Sequence, residues 1–252
     1  MRKFIYLVLF YLSVSSFAFA VERDSLWIKA NNAYSLGEYN SAIEYYKQIE
    51  DSGYMSAKLW YNMGNAYYKL QDDGRAILYY ERALKLDPSN QDVKNNLEIA
   101  KLKTLDKIES VPEFILSTWT KDIRNAMSSD NWAYTGIVFF IITAVLMLLF
   151  RHAPQVGQRK LSFVFACVTM LIAIIAFVFS LNLKNKATNK ESAVVLAPVS
   201  NVKSAPNSTG GNLFILHEGT KVEVLESVGQ WSKVELSDGR QGWMESKDFE
   251  AI

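Results

Sequence analysis

The sequence predicts a multidomain membrane protein: an all-α helical-repeat unit, a two-helix transmembrane hairpin and a small all-β barrel, in that order. Three observations carry this. The chain resembles itself when shifted by 34 residues near its start. Residues 133–150 and 161–183 carry no charged side chain. After residue 190 the apolar pattern changes to alternation.

The first element is a leader. Arg2 and Lys3 give a basic start, residues 4–14 an apolar core, and Ala18-Phe19-Ala20 a small-residue cleavage site. Residues 1–20 therefore read as a secretory signal peptide cut after Ala20. The alternative is an uncleaved N-terminal membrane helix, and either one exports the segment that comes next. No cysteine follows the site, so a lipoprotein anchor is not expected.

The second element is the repeat unit, residues 21–110. With the 34-residue shift Asn31 falls on Asn65, Tyr34 on Tyr68, Leu36 on Leu70, Ala42 on Ala76, Ile43 on Ile77 and Tyr46 on Tyr80. The copies are residues 23–56 and 57–90. In the second, Trp60, Met63, Gly64, Tyr67, Ala76, Tyr80, Ala83 and Pro88 stand at the positions by which it resembles the tetratricopeptide repeat. Gly64 and Ala76 are small where paired helices cross, Tyr67 and Tyr80 fill the space beside them, and Pro88 ends the second helix. Two repeats rarely bury their faces alone, so a capping helix is expected over 91–109. Val93, Leu97 and Ala100 should face the repeats, and Lys94, Glu98 and Lys101 water.

The resemblance implies a groove lined by the first helix of each pair: Trp27, Asn31 and Tyr34, then Tyr61, Asn65 and Tyr68, with Asn62 and Asn96 beside them. Asparagine offers a donor and an acceptor to a passing peptide, and aromatic rings offer contact area at low entropic cost. Ordinary packing is the competing role for each. Trp27 and Tyr61 stand where a carboxylate-clamping subclass carries a cation, so a carboxylate clamp is not implied.

Residues 111–131 come next. Ile115, Trp119, Ile123 and Met127 recur every four residues behind Pro112, an amphipathic helix that lies on a bilayer or packs on the repeats. The two uncharged runs, with Trp132 preceding the first, make spans over 132–150 and 161–183. At 1.5 Å per residue they match a hydrocarbon core of about 30 Å. A buried hairpin in a soluble core is the alternative. An exported start makes the 151–160 loop cytoplasmic, and Arg151, Arg159 and Lys160 satisfy the positive-inside rule. Lys184, Lys186 and Lys190 pull the other way, and the leader outweighs them. The lone cysteine, Cys167, lies in the second span and makes neither an internal disulfide nor a cysteine metal cluster.

A polar linker, residues 184–190, leads to strands at 192–196, 213–216, 221–225, 232–236 and 242–245, with Asp238-Gly239 as a hairpin turn. Leu216-His217-Glu218-Gly219-Thr220, Trp231, Asp238-Gly239 and Gly242-Trp243 make residues 191–252 resemble a bacterial SH3 domain. Trp231 matches the tryptophan that lines the groove of proline-binding SH3 domains, and barrel packing is its other role. Glu245 replaces their proline, so proline-rich ligands are not implied. Trp243 is expected in the core.

Chemistry is not expected. The net charge of +1 gives no argument for nucleic acid. The two histidines, His152 and His217, cannot support a cysteine peptidase with Cys167 buried in a span, and no zinc-protease, G-x-S-x-G or phosphate-loop motif occurs. Ser200 and Lys203 fit S-x-x-K only in an extended region. We expect no catalytic residue, cofactor or metal.

The order of parts resembles the BatE-like repeat proteins of bacterial aerotolerance operons. Asp106-Lys107-Ile108-Glu109, Ser129-Asp130-Asn131-Trp132 and the Leu216–Gly219 block add to the match. The resemblance implies a two-pass inner-membrane scaffold with both soluble domains periplasmic. Its implied partners are von Willebrand A-domain membrane proteins and, indirectly, a MoxR-type ATPase. A cell-envelope anchor or sensor that binds peptidoglycan through its SH3 domain is the alternative.

Overall fold

A computed structural model describes residues 23–108, 114–188 and 192–252. The expected signal peptide, Pro112 and residues 189–191 lie outside these. Helix α1 covers residues 23–35, α2 Tyr39–Asp51, α3 Ala57–Lys69, α4 Asp73–Leu86 and α5 Gln91–Lys101. Local chemistry sets their starts. Ser56, Asp72 and Asn90 each accept from the backbone N–H three residues on, which satisfies an otherwise orphaned donor. Pro88 follows the last residues of α4. Gly64 lets α3 lie on α4: a Cβ there would sit 2.6 Å from the Tyr80 ring.

The capping helix is shorter than expected, ending at Lys101 rather than 109. Thr104 Oγ1 and Lys107 Nζ donate to the Lys101 carbonyl, and Lys107 Nζ also to that of Leu102. These bonds satisfy the helix end and free the chain to run toward the β domain. Val93, Leu97 and Ala100 are buried in the repeat core, whereas Lys101 does not simply face water: it pairs with Glu81 at 3.1 Å.

Helix α6 spans Ile115–Arg124, shorter than the 111–131 segment expected. Ile115, Trp119 and Ile123 are all more than half exposed, so this face does not pack on the repeats. Helix α7 runs Ser129–His152 and α8 Val156–Thr188. The connecting basic loop is therefore cut to residues 153–155, with Arg151 on α7 and Arg159 and Lys160 on α8. The expected linker at 184–190 is helical through Thr188. The two helices pack antiparallel through small groups: Gly136 against Phe177, Thr143 hydroxyl to Thr169 hydroxyl at 2.8 Å, and the buried Ala166, Ala173, Ala176 and Ser180 of α8. Cys167 is exposed on the outer face.

Seven antiparallel strands complete the described chain: β1 Ser192–Val195, β2 Val199–Lys203, β3 Asn212–His217, β4 Lys221–Val228, β5 Trp231–Glu235, β6 Gln241–Glu245 and β7 Phe249–Ala251. Their order is β3-β2-β6-β5-β4-β1-β7. Inward residues of six strands share one core, including Ala193, Val202, Leu216, Val234 and Met244, so the sheet curls on itself. Strands β2 and β7 are additional to the five expected. Strand β2 does alternate, but its buried members include Ser200, which hides the pattern. Trp243 is not in this core. It is half-buried, because Gly242 and Met244 take the inward positions of β6.

The β domain sits on α4. Within β1, Ala193 and Val195 point into the β core while Val194 joins the repeat core, together with Ile252. Alternation along one strand thus serves two cores.

Candidate functional site

The six groove candidates lie on α1 and α3 and are all half-buried. Two equivalent hydrogen-bonded sets are centred on Asn31 and Asn65. Tyr46 donates its phenol proton to Asn31 Oδ1 at 2.7 Å, and Asn62 Nδ2 donates to the same oxygen at 3.3 Å. Thirty-four residues on, Tyr80 donates to Asn65 Oδ1 at 2.7 Å and Asn96 Nδ2 donates at 2.9 Å. Asn96 also reaches the Tyr61 hydroxyl at 3.2 Å. Burial pushes the Tyr46 phenol up to about 12 and raises Tyr80 as well, so both stay neutral donors.

The acceptor oxygens of Asn31 and Asn65 are therefore occupied within the chain. Their Nδ2 groups donate to no described residue, and point-by-point recognition of a peptide would use these donors. The aromatic members keep their rings at the edge of the core. Trp27 meets Tyr46 edge-on at 6.0 Å and Tyr34 meets Tyr39 at 5.4 Å. Lys58 Nζ lies 5.5 Å from the Trp27 ring and Lys103 Nζ 4.0 Å from the Tyr68 ring.

Trp231 is half-buried on the outer face of β5. Lys203 Nζ lies 5.5 Å from its ring. Trp243 pairs with both Lys203 and Lys233 across neighbouring strands. Two tryptophans and two lysines thus share one surface. The S-x-x-K pair is not a catalytic unit: Ser200 is buried and donates to Asp248 at 2.6 Å, while Lys203 lies over Trp231. Among the described residues no group of three or more His, Cys, Asp or Glu side chains is placed to hold a metal.

Sequence reasoning missed the contact that fixes the two modules. The Asp106 carboxylate accepts from His217 N–H at 2.7 Å, from His217 Nδ1 at 2.8 Å and from the Thr220 hydroxyl at 2.6 Å. Burial raises the Asp106 carboxyl, but the Thr220 and His217 hydrogen bonds outweigh it and hold the group below the usual range. Glu218 accepts from the Gly74 N–H at the start of α4 at 2.9 Å, a carboxylate at a helix N-terminus. Gly219, at φ +86°, leaves no room for a Cβ, which would lie 2.6 Å from Thr104 and 2.9 Å from Ile77.

Buried Glu81 takes Lys221 at 2.6 Å and Lys101 at 3.1 Å. Burial raises its carboxyl, and the two ammonium groups together bring it below its ordinary value. Arg82 donates to Glu250 at 2.8 Å and to the Ala251 carbonyl at 2.6 Å. Asp106 and residues 217–219 lie in blocks that stand out in the sequence, but nothing in periodicity pairs them.

Residues 57–90 match the tetratricopeptide repeat and residues 197–250 match the bacterial SH3 domain. No curated protein matches the chain. Both matching families are binding modules, for proteins in the first case and for proteins or peptidoglycan in the second, and both are typically non-catalytic.

Proposed function

We propose that the chain is a non-enzymatic scaffold of the inner membrane, with both binding modules on the periplasmic side, and that it works in an aerotolerance-type complex. Its partners in this reading are von Willebrand A-domain membrane proteins and, through them, a MoxR-type ATPase.

The observation that carries the reading is the placement of the modules. The β domain covers α4, whereas the α1 and α3 face with its tyrosines and free amide donors is left open. Both modules stand at one end of an apolar hairpin. Only 6% of the most apolar stretch of α7 and 17% of that of α8 is buried, unlike core helices of a soluble domain. Arg151, Arg159 and Lys160 gather at the opposite end, as a cytoplasmic turn requires.

The test is recovery of partners from detergent-solubilised membranes with Tyr34→Ala/Tyr68→Ala. Asn65 is unsuitable, because its loss would strand Tyr80 and Asn96 in a partly buried site. Partner recovery should fall at least tenfold while circular dichroism is unchanged. Unchanged recovery would remove the groove as the site.

A second reading rests on the Trp231, Lys203, Lys233 and Trp243 surface. Stacking rings beside ammonium groups suit a glycan strand bearing acidic peptides. In this reading the full chain in detergent co-sediments with purified cell wall, and Trp231→Ala does not.

A further inference from the structure

A cavity of about 300 Å³ lies where the repeats, the β domain and the end of the apolar hairpin meet. It is bounded by Leu84 and Pro88 of the repeat unit, by Ile252 of the β domain, and by Leu183 of α8. Its polar lining is Lys85, Lys94, Lys186 and Lys221 against Glu81 and Glu223, with neutral Asn125 and Ser192, and Lys85 is already engaged, donating to Ile252 O at 2.6 Å. Glu81 is already shared between Lys221 and Lys101. Lys94 and Lys186 make no ion pair with any described residue. Lys186 also lies within the field of Lys221, Arg124 and Lys121, opposed by Glu223. A cavity with excess ammonium groups and enough room for a small headgroup favours an anion.

The position of the cavity says which anion. Leu183 is the last residue of the uncharged run. Lys186 lies three residues further along the same helix, about 4.5 Å at 1.5 Å per residue. The headgroup layer outside the hydrocarbon is roughly 5–7 Å thick on each side. Lys186 therefore falls at the level of lipid phosphates, and Arg124 is fixed beside it, donating to Asn182 at 3.1 Å.

We propose that this cavity binds the phosphate headgroup of an anionic phospholipid, with Lys94 and Lys186 as its principal contacts and the acyl chains lying along α8. The proposal rests on the membrane reading above. A bound headgroup supplies the negative charge that the junction of the three parts lacks, so the lipid cements the soluble modules onto the hairpin.

The test uses the full chain in a neutral detergent, titrated with dioctanoyl phosphatidylglycerol, dioctanoyl phosphatidylcholine or inorganic phosphate, and followed by thermal unfolding. Phosphatidylglycerol should raise Tm saturably and phosphatidylcholine should not. Lys94→Gln/Lys186→Gln should weaken the effect at least tenfold in concentration, while Lys29→Gln, on an exposed part of α1, should leave it unchanged. Equal stabilisation by phosphatidylcholine, no stabilisation by phosphatidylglycerol, or full retention in the double variant overturns the site. Equal stabilisation by inorganic phosphate at the same concentration overturns the lipid and leaves a free-anion site. Extraction of native membranes with alkaline carbonate separates the two levels. A chain that washes off refutes the membrane reading itself, and one that stays while lipid binding fails refutes only the headgroup site.

Discussion

Gln71 holds a left-handed backbone, φ 63°, at the end of α3. The equivalent residue of the first repeat is Gly37, at φ 82°. A side chain in this region costs about 1 kcal/mol, and the exposed Gln71 side chain makes no hydrogen bond to a described residue that would offset it. Gln71→Gly should therefore stabilise the chain by about 0.5 kcal/mol after the added freedom of the unfolded state is counted, and Gly37→Gln should destabilise it by about 1 kcal/mol. Thermal unfolding reads both, and a lower Tm for Gln71→Gly would contradict this account. The same 34-residue comparison makes Gly64 and Tyr80 legible as a packing pair, since a small residue and a ring at fixed positions imply a close crossing. The bonds from Tyr46 to Asn31 and from Tyr80 to Asn65 are not legible. Periodicity tells which residues share a face, not which atoms meet, and it leaves the asparagine oxygens looking free.

At the scale of elements, α4 is the helix on which the architecture turns. One side packs in the repeat stack and the other receives β1, β7 and the 217–221 turn. The sequence shows the helix and the strands but not their union, because Val194 alternates correctly for either core. Its electrostatics give a pH dependence. Asp106 and Glu81 are both held below their ordinary values when the domains are docked. A depressed folded pKa means that separation takes up protons, so the docking contribution is complete above about pH 5 and fades as acid protonates the two groups. Asp106→Asn should cost roughly 1.5–3 kcal/mol at pH 7, through loss of the charge-assisted bonds to His217 and Thr220. It should also shrink the fall in Tm between pH 7 and pH 3. An equal fall in variant and parent would show that Asp106 does not link docking to pH. Helix ends obey a similar rule. The stop at Pro88 is readable, whereas the early stop at Lys101 depends on Lys107 folding back onto carbonyls, a contact local sequence does not announce.

At the scale of the whole molecule, the two modules and the basic turn lie at opposite ends of the apolar hairpin. A compartment-specific reporter at Asn207 should read outside the cytoplasm and one at Gln155 inside; a cytoplasmic signal at Asn207 would overturn the topology. The order of parts is evident from composition, but the sealing of one module by the other is not. That sealing has a consequence for biogenesis. Val194 and Ile252, which finish the repeat core, are translated after the hairpin, so the repeats emerge with α4 uncovered and Glu81 lacking Lys221. At roughly 5–20 residues per second, the stretch from α5 to the end of the β domain takes on the order of ten seconds. In the topology proposed above, a hairpin that crosses twice delivers the β domain to the same side as the waiting helix, whereas a single crossing leaves the two apart. Docking in that topology would check insertion: a chain that leaves the two modules on opposite sides would keep an open apolar face on α4 and a Glu81 carboxylate without Lys221.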